Sequence, residues 1–230
     1  MYFTDTPALN SIEAIMKKLP YGTQKGGGRF RSPYKYTKKD CDCRLCLYHR
    51  KKGGCSLPVC PVLDIRLECG AVTLKEAVLS AFQDVPHTPF QRRLAKLYKR
   101  KDDLPMIFQN ETHKRIFEAE RTKLRKPDNR ALAALYLLTA EHSLWISAKH
   151  HIGKDGKVDL QSVRLGNIST DGYALWKAVK ELQTVERQIS QCELSDSEVI
   201  SDRAFRLIVQ AMTAARFGAS VLTEQEVRHA

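Results

Sequence analysis

Nowhere does this chain carry an apolar run approaching the roughly 18 to 20 residues that a membrane-spanning helix needs. Its first twenty residues, MYFTDTPALNSIEAIMKKLP, lack a charged segment followed by an apolar one. No secretory leader is read there, and the expectation is a cytoplasmic protein with no membrane partner. Signatures of nucleophilic, metallohydrolase and phosphate-loop chemistry (GxSxG, HExxH, GxxxxGKS) are missing too, so no catalytic residue is assigned. Strand-forming pieces are scarce, confined to short stretches near 57–62 and 158–163. What remains is helical periodicity, and the expected fold is mainly α.

Negative charge is also scarce, but only in part of the chain. Lys and Arg outnumber Asp and Glu 13 to 6 over residues 1–70 and again over 91–130, whereas 131–230 carry 11 against 12. The whole net charge of +12 therefore arises before residue 131. Such asymmetry suits an acidic partner, most often nucleic acid or a nucleoprotein, although a solvated basic surface is the plain alternative.

Cysteine, by contrast, is concentrated. Six of the seven lie in 41–69, CDCRLCLYHRKKGGCSLPVCPVLDIRLEC. In a reducing compartment disulfides are rare, and this density points to metal thiolates. Cys43-x2-Cys46 grips an ion from a tight knuckle, Gly53-Gly54 turns the chain, and Cys55 with Cys60 completes a tetrahedron at about 2.3 Å per sulfur. Zinc is the expected cofactor, with Cys43, Cys46, Cys55 and Cys60 as ligands, Cys41 and His49 in reserve, and Cys69 opening the next helix as a small core residue. The second pair has four intervening residues and contains Pro58, so it departs from a standard ribbon. An iron–sulfur centre, suggested by Cys60-Pro61, and unligated reduced thiols are the competing assignments.

Cations surround this module. An arm over 21–40 interleaves Arg29, Arg31, Lys35, Lys38 and Lys39 with Phe30 and Tyr34, a composition suited to phosphates and unpaired bases and equally to a solvated linker. The module's tip adds Arg50, Lys51 and Lys52, and a helix over 90–98 adds Arg92, Arg93 and Lys96. These thirteen residues are the candidate nucleic-acid contacts.

Further helices are expected over 10–19; over 73–82, with Thr73 and Glu76 as a capping box; over 110–125, capped by Asn110; over 129–149, behind Asp128; over 171–188; and over 202–217. In the 110–125 helix, Glu111 with Arg115 and Glu118 with Lys123 are expected to offset charge locally. His150 and His151 read as caps at a helix's negative end. The expected organisation is an amphipathic helix and basic arm (1–40), a zinc module (41–70), a basic helical connector (71–130) and a near-neutral helical domain (131–230).

The segments DCRLCLYHRKKGGCSLPVC, FQNETHKRIFE, LAALYLLTAEHSLW and VRLGNISTDGYALWKAVKEL resemble an uncharacterised family of basic proteins associated with mobile genetic elements of Gram-positive bacteria. The resemblance covers most of the chain and implies a setting without a mechanism. Two functions follow from the residues. One is a zinc-stabilised nucleic-acid or nucleoprotein binder whose C-terminal domain meets a protein target or itself. The other is a protein-directed inhibitor or adaptor, anti-CRISPR-like, acting on a nucleic-acid enzyme. A histidine–metal nuclease stands third, because the Asp-His pair and following asparagine usual in such sites are missing near the cysteines.

Overall fold

The computed structural model describes residues 36–46, 48–50, 54–55, 60, 62–97, 107–184 and 186–222. The chain divides into Met1–Tyr36 and Thr37–Ala230, and the fold set out here is that of the second unit. It is mainly α. Its helices are α1 (Leu63–Glu68), α2 (Leu74–Ala81), α3 (Thr88–Leu97), α4 (Glu111–Arg121), α5 (Asn129–Ala140), α6 (His142–Ala148), α7 (Thr170–Thr184), α8 (Gln191–Ser195) and α9 (Asp202–Phe217). Two-residue strands β1 (His49–Arg50) and β2 (Gly54–Cys55) pair antiparallel. The expected 10–19 helix lies outside the described residues.

Helix starts follow local chemistry. Thr73 and Glu76 form a reciprocal capping box, with Thr73 N–H donating to Glu76 Oε2 at 2.8 Å. Asn110 accepts from His113 N–H at 2.8 Å, and Asp128 from Ala131 N–H at 2.7 Å. Each cap satisfies an amide that has no partner within its helix.

α5 is the hub. Every residue from position 131 to 140 is buried, and the helix packs against α4, α6, α7 and α9. α9 also packs on α2 and on the 3-10 turn Ala219–Leu222, which α1 meets as well. The sequence suggests one helix from 129 to 149, but the chain breaks at Glu141, whose backbone is extended. Its carboxylate accepts from Leu144 N–H at 2.7 Å, so the same residue ends α5 and caps α6.

The charge boundary near 131 is not a packing boundary. Leu63, Leu67, Val78, Phe90, Leu94 and Phe117 join one buried cluster with residues of α5, α7 and α9. The reason is amphipathicity: α2 to α4 turn apolar stripes inward and leave cations such as Lys75, Arg92, Lys96 and Arg115 in solvent. Two further expectations change. Cys69 caps the C-terminus of α1, its N–H bonded to Ile65 O, instead of opening the next helix. Lys123 pairs with Glu120 at 2.7 Å, at the i, i+3 spacing that suits a helix; the proposed Glu118 partner is five residues away.

His113 is buried in an aromatic cluster with Phe108 and Tyr136. Its Nδ1 accepts from Gln109 N–H at 3.1 Å, which leaves Nε2–H to donate to Tyr136 O at 2.8 Å. Burial lowers its pKa from 6.5 to about 4, opposed in part by the Tyr136 carbonyl. The unfolded chain therefore takes up a proton near pH 6.5 that the folded chain refuses until about pH 4. Stability is expected to be complete above pH 6.5 and to fall by about 3 kcal/mol on descending to pH 4. Thermal melts across that window check this, and His113→Gln should flatten the dependence.

Candidate functional site

The cysteine segment is built from short local bonds. Asp40 closes a turn, its Oδ2 accepting from Thr37 N–H and Oγ1–H at 2.7 Å each. Asp42 caps the 3-10 turn Cys43–Leu45 and clasps the Arg44 guanidinium, which holds its carboxyl down near a pKa of about 2. Cys46 N–H then donates to Cys43 O at 3.1 Å and His49 N–H to Cys46 O at 3.0 Å, folding Cys43-x2-Cys46 into a tight knuckle. The β1–β2 ladder pairs His49 with Cys55, so the backbone returns Cys55 to a position three residues past Cys46.

Other sulfurs gather at α1. Arg66 Nη1–H points at Cys60 Sγ, 3.9 Å away, and Cys69 Sγ–H donates to Arg66 O at 3.5 Å. Burial pushes the Cys41 thiol up to about 11, assisted by its hydrogen bond with Cys69. Burial works against the Arg66 charge, but Cys60, Cys43 and Cys41 outweigh it and raise its pKa. Arg66 is thus the group that α1 offers to the cysteines, and its Nε is buried with no hydrogen-bond partner among the described residues. Sequence reading missed it because 57–62 suggested a strand, whereas the Arg66-to-Cys69 spacing is visible only once α1 is a helix.

Among the described residues no group of three or more His, Cys, Asp or Glu side chains is arranged to hold a metal ion. Cys43, Cys46 and Cys60 are among those residues and are not gathered into such a group, and the side chain of Cys55 lies outside them. The chemistry of the set still fits zinc. Four thiolates around Zn²⁺ leave a net charge of −2, and a half-buried guanidinium with an orphaned N–H beside Cys60 and Cys43 is the compensation such a site needs.

The candidate nucleic-acid residues divide. Arg29, Phe30, Arg31, Tyr34, Lys35, Lys51 and Lys52 lie outside the described residues, and Arg50 is described in its backbone alone, in β1. Lys38 and Lys39 are exposed. On α3, Arg92 and Lys96 are exposed and four residues apart, hence on one face.

Arg93 does not belong with them. It is 8% exposed, and its guanidinium donates to Leu194 O (3.0 Å), Asp196 O (2.9 Å), Ile200 O (2.5 Å) and Asp202 Oδ1 (2.9 Å) while lying over the Phe205 ring. All of its donors are turned to the protein. Arg93 is a strut between α3 and the α8–α9 connection, and no phosphate can reach it without unfolding that contact.

His150 and His151 close the 3-10 turn Lys149–His151 that prolongs α6, the capping position expected for them. No family model, curated protein or solved structure compared with this chain matches it.

Proposed function

We propose that this chain is a zinc-stabilised, non-enzymatic protein that binds nucleic acid or a nucleoprotein complex, in the mobile-element setting its resemblance implies. The observation that carries the reading is the knuckle and hairpin, whose backbone returns Cys55 to Cys43-x2-Cys46, together with the Arg66 guanidinium directed at Cys60. A metal held there would fix a segment with little apolar core of its own, and it would present the cations of the tip rigidly. Lys38, Lys39, Arg92 and Lys96 support the binding half of the reading: all are exposed, and none has a carboxylate at ion-pair distance among the described residues. Arg93 has no part in it.

Binding through phosphates releases counterions, so affinity for an oligonucleotide should fall steeply with salt. Replacing Arg29, Arg31, Lys35, Lys38 and Lys39 by Ala should weaken unrelated sequences alike and flatten the log–log salt slope by up to about 0.7 to 0.9 per lost contact. Fluorescence anisotropy titrations at several salt concentrations measure both. Absence of salt-sensitive binding to DNA and RNA by the zinc-loaded protein would end this reading and leave a protein target as the next to seek.

A further inference from the structure

Two stretches that are distant in sequence meet on the surface, and both are basic. The segment between α4 and α5 carries Arg125 and Lys126, the first turn of α5 adds Arg130, and the stretch after α6 carries Lys149, Lys154 and Lys157. Arg125 N–H donates to Lys154 O at 2.6 Å, joining the two backbones. Gly156 seats the second loop on the first. Its φ of +84° is open to glycine at little cost, and a Cβ there would lie 2.8 Å from Ala131 Cβ and 3.2 Å from Leu124 Cδ1.

The six cations are exposed, and none has a carboxylate at ion-pair distance among the described residues. Three carboxylates share the region, and one of them, Asp159, accepts from Gln161 N–H at 3.2 Å and Ser162 Oγ–H at 2.5 Å. Asp128 accepts from Ala131 N–H at 2.7 Å and Asp155 from Lys157 N–H at 3.1 Å, so each is committed to a backbone amide as well as being outnumbered. Lys126 is the only non-glycine described residue with positive φ, at 50°, and it stands directly before Pro127. A chain that adopts an unfavourable backbone to bring like charges together holds an arrangement that solubility does not require, and strain of this kind concentrates at sites of use. A solvated face would spread its charges.

We propose that these two loops form a second phosphate-binding surface, one that holds the sugar–phosphate backbone of a nucleic acid without reading its sequence. The proposal rests on the nucleic-acid reading above and extends it into the part of the chain that is near neutral by composition, because Lys149, Lys154 and Lys157 lie beyond residue 131. The docked loops fix the spacing of their cations before binding, which spares the ordering entropy that a flexible basic tail loses.

The test uses the full chain and a fluorescent single-stranded oligonucleotide. The variant R125Q/K126N/K154Q/K157Q changes exposed side chains only and keeps at position 126 a residue that tolerates positive φ. It should bind about tenfold or more weakly at moderate salt, with a log–log slope lower by roughly two to three. Gly156→Ala removes no charge but drives the loops apart, and it should weaken binding while circular dichroism still reports a helical protein. If the quadruple variant binds like the parent while the arm variant is weakened, the second surface does not exist and the nucleic-acid reading stands. If the parent itself shows no salt-sensitive binding, both fall together.

Discussion

Arg93→Ala should be the most damaging single substitution among the basic residues of the described fold, costing about 3 to 5 kcal/mol of stability. The side chain is 7% exposed and its partners come from residues 194–202, a hundred positions away. Truncation strands the buried carbonyls of Leu194 and Ile200, frees that of Asp196, and removes the cation from the Phe205 ring. For a chain of this size the melting temperature should drop by roughly 10 °C. Arg93→Lys should recover part of the loss, because one ammonium cannot span three carbonyls and a carboxylate as a planar fork does. Asp202→Asn should cost less than about 1 kcal/mol, since that carboxylate is 64% exposed and its pair with Arg93 is partly screened. Calorimetry on the three variants measures these losses. An Arg93→Ala protein that melts like the parent would remove Arg93 from the framework and return it to the surface cations.

The contrast between Arg93 and its neighbour shows where sequence stops being informative. Arg92 and Arg93 are adjacent in a basic run, and one faces water while the other is buried. Composition cannot separate them, because the difference lies in carbonyls supplied by α8 and the turn before α9. Elements whose causes are local were readable: Thr73, Asn110 and Asp128 start the helices expected of them, and the stripe of Phe205, Leu207, Ile208 and Ala211 is buried as its spacing implies. Helix α8 carries a local signal of the same kind, the capping box of Ser190 and Glu193. The break at Glu141 had none, since Glu, His and Ser neither forbid nor force a helix there. In the candidate site, cysteine spacing announced the knuckle, but Arg66 gains meaning only when α1 brings it to Cys60 and Cys43.

Removing metal is expected to have the largest effect of all, and to have it locally. We propose that purified protein holds about one zinc per chain in Cys43, Cys46, Cys55 and Cys60. Structural zinc contributes on the order of 10 to 16 kcal/mol in small peptides, so a strong chelator should unfold the segment around the knuckle. The helical core should survive, because Ala131–Ala140 of α5 and the buried faces of α7 and α9 make contacts that owe nothing to the cysteines. Far-ultraviolet dichroism should therefore change little, while proteolysis between residues 37 and 60 should accelerate strongly. Serine replacements sort the ligands: loss of zinc is expected at Cys43, Cys46, Cys55 and Cys60, and retention at Cys69 and at the exposed Cys192. The structure sets a sharp alternative, since Cys41 and Cys69 share a hydrogen bond, Cys69 bonds to the Arg66 carbonyl, and the Arg66 guanidinium is directed at Cys60. If elemental analysis shows that Cys41→Ser and Cys69→Ser lose zinc while Cys46→Ser and Cys55→Ser keep it, the metal sits at the α1 end and not in the knuckle. Zinc-free protein with an ordered knuckle would remove the metal from the account altogether. Arg66→Ala separates these outcomes further: with four thiolates beside it, loss of the guanidinium should weaken zinc affinity about 10-fold to 100-fold, and without a metal it should leave the segment unchanged.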